Sequence, residues 1–140
     1  MTAEKTTIIT DAELTRLESM IRSLRGVGEP YGTHARELRE HVRRARLVRA
    51  EEVEPDVVTM NSRVRVRDVD TEQASTFTLA YHGEAEMFGD RLTVLSPLGM
   101  VALGARVGDV LDWDVPPAVR RRLVVERILY QPETEKQFDL

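Results

Sequence analysis

The sequence predicts an α+β protein: a short amino-terminal antiparallel helical hairpin, then a compact domain with a bent antiparallel sheet and one short helix. Three observations carry this reading. Two stretches with matching narrow apolar stripes flank the turn-forming segment GVGEPYG at 26–32. Apolar and polar residues then alternate through 63–69 and 76–81, the period of half-buried strands. Finally, Ser96-Pro97 opens a short helix that feeds two further alternating runs. The predicted division is a hairpin over 1–52 and a domain over 53–140, joined at the charged stretch closed by Pro55.

The first helix is announced by Thr10-Asp11-Ala12-Glu13. This is a capping box: the Thr10 hydroxyl accepts the Glu13 N–H, and the Glu13 carboxylate reaches back. Ile9 and Leu14 sit at the spacing of a hydrophobic staple. Leu14, Leu17, Ile21 and Leu24 recur at intervals of three, four and three, the narrow seam of a coiled coil. Three glycines and a proline between 26 and 32 end the helix. A second helix is expected from about Thr33 to about Glu51, with the stripe Ala35, Leu38, Val42 and Ala45. Two such arms pack as a finger about 22 Å long at 1.5 Å per residue. The second arm is basic. Arg36, Arg39, Arg43 and Arg46 define its charged face, with Arg44 and Arg49 beside them. That face either balances the acidic run Glu51, Glu52, Glu54 and Asp56 or meets an acidic partner. Interleaved aromatics, which would favour single-stranded nucleic acid, are missing. His34 and His41 lack further ligands at metal-binding spacing and read as solvent-facing.

In the domain, Val57–Met60 is expected to start a strand, with a turn or bulge at Asn61-Ser62. Val64 and Val66 alternate with Arg63, Arg65 and Arg67. Phe77, Leu79 and Tyr81 follow, then Leu92 and Val94. Ser96 is a favoured N-cap, and Pro97 at the first helical position forfeits no hydrogen bond. Gly104 stands where that helix should stop, and Gly108-Asp109 forms a turn. Val110, Leu111, Trp113 and Val115 make one arm of a hairpin and Leu123, Val125, Ile128 and Tyr130 the other, separated by Pro116-Pro117. The polar segment 133–140 is expected to fray.

Bulk properties narrow the function. The chain has 140 residues, 41% hydrophobic and 31% charged, with net charge −4, so the whole molecule has no electrostatic reason to seek nucleic acid. With no cysteine there is no disulfide or thiol catalysis. No apolar run approaches the ~20 residues that span a bilayer, and the opening residues contain no signal-peptide core, so a cytoplasmic location is expected. No phosphate-binding glycine motif occurs. Asp112 and Asp114 flank Trp113 and read as the solvated side of a strand whose other side buries the indole.

SPLG at 96–99, ALG at 102–104, VGD at 107–109, Trp113-Asp114, ILYQPE at 128–133 and the entry VVTMNSRVRV at 57–66 resemble the carboxy-terminal domain of the Gre transcript-cleavage factors. They most resemble the Rnk-type branch of that family, regulators of nucleoside diphosphate kinase. The likeness covers about 53–140 and extends more loosely over the hairpin. It implies an FKBP-like fold for the domain and RNA polymerase as the partner, bound at the rim of its secondary channel. By position, Ser96, Pro97, Leu98 and Gly99 match the docking element. Gre factors tend to have a polar residue before this serine and an arginine soon after the proline. This chain has Leu95 and no such arginine. In Gre factors a long hairpin carries a pair of tip carboxylates that hold a catalytic magnesium ion at the polymerase active centre. Here the tip offers Glu29, Pro30 and Tyr31, with a single carboxylate and a shorter arm. The resemblance therefore implies a non-enzymatic regulator that competes with Gre factors; from the residues themselves no metal, cofactor, membrane or stable nucleic-acid contact is expected, and a monomer is expected. A direct grip on the kinase is not implied. The alternatives are a Gre-like cleavage factor and an FKBP-like peptide-binding or prolyl isomerase domain. The latter needs an aromatic-lined cup that three Phe, three Tyr and one Trp supply poorly.

Overall fold

The computed structural model describes residues 6–83, 90–115 and 119–137, the side chains at 114, 115 and 119 excepted. Strand β1 (Ile8–Thr10) runs straight into helix α1 (Asp11–Ser23). Helix α2 (Tyr31–Arg43) returns to strand β2 (Arg46–Val48), and a 3-10 turn covers Ala50–Glu52. The strands β1 and β2 pair in parallel, Ile8 opposite Arg46 and Thr10 opposite Val48, and clasp the base of the hairpin. The remaining strands are β3 (Arg63–Asp68), β4 (Ala74–Ala80), β5 (Arg91–Thr93), β6 (Val110–Val115) and β7 (Val119–Tyr130). They form one sheet of order β5-β4-β3-β7-β6, with helix α3 (Pro97–Ala102) between β5 and β6 in the chain. Register shifts between β3 and β7 at Arg63/Val64 and Arg65/Val66 bend the sheet.

The α+β class holds, and several local expectations are corrected. Helix α2 stops at Arg43, not near Glu51, because Arg46 donates its N–H to the Thr7 carbonyl at 2.7 Å and the chain turns into β2. Residues 57–60 are buried yet form no ladder strand. Val58 exchanges backbone bonds with Gly104 and Ala105 at 2.8 Å each, and Ser62 closes a turn onto Thr59, with Asn61 left-handed at φ 65°. The sheet is not wholly antiparallel, since β5 runs parallel to β4. Alternation in sequence reports which face a residue takes, not the direction of its neighbour. The tail is held through Gln137: the N–H groups of Glu135 and Gln137 reach the Pro132 carbonyl, and Gln131 is buried. Residues 138–140 and the predicted Pro116-Pro117 break lie outside the described residues.

The hairpin seam is not closed on itself. Leu17, Ile21, Leu38 and Val42 join Val64, Val66, Leu79, Leu103, Leu111 and Val125 in one apolar cluster, so the domain covers one side of the finger. Polar contacts accompany this packing. The His82 N–H points at Met20 Sδ at 3.3 Å, and His41 Nε2 lies 3.4 Å from the Leu103 carbonyl. His41 and His34 are thus half-buried rather than solvent-facing.

Candidate functional site

Three regions carry the residues singled out by the sequence. The first is the start of α3. Val94 and Leu95 are buried, which fixes the turn leaving β5. The Ser96 hydroxyl donates to the Thr93 carbonyl at 2.7 Å and accepts the Gly99 N–H at 3.0 Å, so it caps the helix and ties it to the strand. Gly99 is required by space: a Cβ there would sit 2.1 Å from the Thr93 carbonyl oxygen. Leu98 is half-buried against the core. Pro97 is the one exposed member of the four. Leu95, where Gre factors tend to be polar, is core here.

The second region is the hairpin tip, where the Glu29–Pro30 bond is cis. The Glu29 carboxylate accepts from the Thr33 hydroxyl and from the Thr33 N–H at 3.3 Å, and lies 3.6 Å from Arg36. The Thr33 hydroxyl, above all, holds this carboxyl below its usual range. Glu29 therefore satisfies the open N-terminus of α2. Tyr31 stacks at a tilt on His82, with ring centroids 4.9 Å apart. Among the described residues, no three His, Asp or Glu side chains are grouped to hold a metal ion.

The third region is the basic face. Arg36, Arg39 and Arg43 lie on α2, whereas Arg46 lies in β2 and so leaves the helical face. Arg36 and Arg43 are paired with Glu29 and Glu40, and both pairs are exposed and contribute little. In β6, Asp112 is clamped by Arg120 through two 2.7 Å contacts, and Trp113 is only partly buried.

A fourth feature escaped sequence reasoning beyond its local half. The predicted capping box is present, with Thr10 accepting the Glu13 N–H at 3.1 Å and Glu13 accepting the Thr10 N–H at 2.9 Å. The second carboxylate oxygen of Glu13 also accepts the Met60 N–H at 2.7 Å, which joins α1 to the domain. The carboxyl is 2% exposed, and burial pushes its pKa up to about 7. The Thr10 and Met60 N–H groups oppose that rise, and the Glu133 charge adds to it. Beside it, Thr59 donates to Glu133 at 2.6 Å. Only the Thr10-to-Glu13 spacing was visible in sequence, because Met60 is 47 positions away.

The family model described as "Transcription elongation factor, GreA/GreB, C-term" matches residues 52–130, more than half of the chain and inclusive of the α3 start. The chain belongs to the GreA/GreB family of transcription elongation factors. Within it, the chain is 35% identical to the "Regulator of nucleoside diphosphate kinase" of Escherichia coli strain K12, over 91% of this chain and 92% of that one. Transcription elongation factor GreA of Thermotoga neapolitana is 34% identical over 68% of this chain but 60% of its own length. The solved structure of a prokaryotic transcription elongation factor GreA/GreB from Nitrosomonas europaea superposes with a TM-score of 0.71 at 28% identity, covering 91% of this chain and all of that one.

Proposed function

We propose that this chain is a non-enzymatic transcription regulator that binds RNA polymerase at the rim of the secondary channel and competes there with Gre factors. The observation that carries this reading is the hairpin tip. In a chain similar over 91% of its length to the E. coli regulator, the tip has one carboxylate, and that carboxylate is engaged in capping α2. Holding a catalytic metal at a partner's active centre takes free carboxylate oxygens. In this reading residues 53–140 form the FKBP-like docking domain and 1–52 the finger. The α3 start at Ser96, Pro97, Leu98 and Gly99 is the docking element, with Pro97 as its outward contact. The protein acts as a cytoplasmic monomer, and no helix among the described residues is long and apolar enough to cross a membrane.

The test is a stalled elongation complex with radiolabelled RNA, incubated with the purified chain and separated from free protein. The expected result is co-migration of the chain with the complex and RNA of unchanged length. Shortened RNA would overturn the non-enzymatic half of the reading, and absence of the chain from the complex would overturn the polymerase half.

A further inference from the structure

A groove of about 660 Å³ is lined by residues of the two helices and of the β1–β2 clasp at their foot. Its floor is apolar: Leu14, Ile21 and Val42 between the helices, with Ile9 and Leu47 at the foot. Leu47 is 54% exposed, a large apolar side chain presented to solvent. Its walls are basic on both sides, with Arg22 at the end of α1 and Arg25 in the turn just after it, facing Arg39 and Arg43 of α2. Glu18 is the one carboxylate among the lining residues. Among the described residues, Arg43 alone of the four guanidinium groups has an ion pair, with Glu40 on the exposed surface.

We propose that this groove docks an acidic amphipathic helix of a protein partner. Charge complementarity and shape together point to this occupant. A small anion with a single headgroup needs cations converging on one point. Here they come as two pairs, Arg22 and Arg25 where α1 ends and Arg39 and Arg43 on α2, at spacings of three and four, flanking an apolar strip. That arrangement complements a helix whose apolar stripe is bordered on each side by carboxylates. Guanidinium groups suit this role because they are weakly hydrated and pair with carboxylates in a fork. A nucleic acid would draw on the same charge but leaves the apolar floor unused, because no aromatic lines it for base stacking. The inference stands independently of the polymerase reading, since it concerns the hairpin and not the α3 start.

The experiment is fluorescence anisotropy of the full chain with a labelled synthetic helical peptide of about four turns. The peptide carries leucine at i, i+3, i+4 and i+7 and glutamate on both flanks. Two control peptides replace the glutamates by lysine or the leucines by glutamine. The expected result is saturable binding of the acidic peptide, weakened by salt, and loss of binding with either control. The double variant Arg22→Glu with Arg39→Glu should weaken binding about ten-fold or more, the scale of 1.4 kcal/mol. Leu47→Thr should weaken it too. Both changes are at exposed positions, and an unchanged thermal melt shows that each variant is folded. Equal binding of acidic and lysine peptides, or binding indifferent to the variants, would overturn the proposal. So would tighter binding of a single-stranded RNA oligonucleotide that displaces the peptide, or a dimer in sedimentation that the same variants dissolve.

Discussion

Glu13 shows how one residue serves two levels of structure. Its carboxylate completes the cap of α1 and, through the Met60 N–H, fastens that helix to the domain. The arrangement makes stability pH-dependent in an uncommon direction for a carboxyl. Its folded pKa, about 7, stands above the ordinary 4.5, so the folded state holds a proton that the unfolded chain has released. The contribution is complete below pH 4.5 and is lost as pH rises through about 7. The difference amounts to on the order of 3 kcal/mol. Glu29, Asp68 and Glu126 have carboxyls held below their usual range, so they are already ionised there and add no slope. Urea unfolding at pH 5 and pH 8 should show the natural chain weaker at pH 8 and Glu13→Gln nearly flat. Equal slopes in the two proteins would contradict this account. The capping half of Glu13 was legible because it is encoded within four residues. The Met60 half was not, because a backbone N–H carries no sequence signal.

At the scale of elements, the join between the finger and the domain rests on close backbone approach. The Ile8 N–H donates to the Gly104 carbonyl at 3.1 Å, and Gly104 adopts φ +79° at the end of α3. A Cβ at 104 would lie 2.6 Å from the Ile8 carbonyl oxygen and 2.7 Å from its nitrogen, atoms that cannot move aside cheaply. Gly104→Ala should therefore cost at least the ~1–2 kcal/mol of a left-handed non-glycine residue and lift β1 off the domain. Hydrogen exchange reads this directly: the Ile8 amide should lose protection while β3 and β7 keep theirs. Unchanged protection at Ile8 would contradict it. Gly104 was legible as a helix stop, though not as the seat of β1. The same long-range pairing explains why α2 was read as too long. Helical spacing continues to Ala45, and only β1 draws Arg46–Val48 into a strand. Likewise Val57–Met60 is apolar enough for a strand, but residues 104–106 take its backbone bonds.

The whole molecule is a short finger laid partly against its own domain rather than a free-standing arm. Leu17 and Leu38 are fully buried because both parts cover them. An arm of 13 residues spans about 20 Å, and its tip rests on His82 through Tyr31. The class and the α3 start were legible in sequence because capping, proline placement and the family-like SPLG run are local. The packing of the finger on the domain was not, since a narrow apolar stripe does not say whether one neighbour or two will cover it. The most direct measurement is a competition titration. Core RNA polymerase is bound to the fluorescently labelled full chain, a Gre factor is added, and Pro97→Ala is run in parallel. The account predicts complete displacement by the Gre factor and about ten-fold weaker binding for Pro97→Ala, the loss of one central interface contact. Simultaneous binding of the chain and the Gre factor, or no binding to polymerase at all, would contradict it.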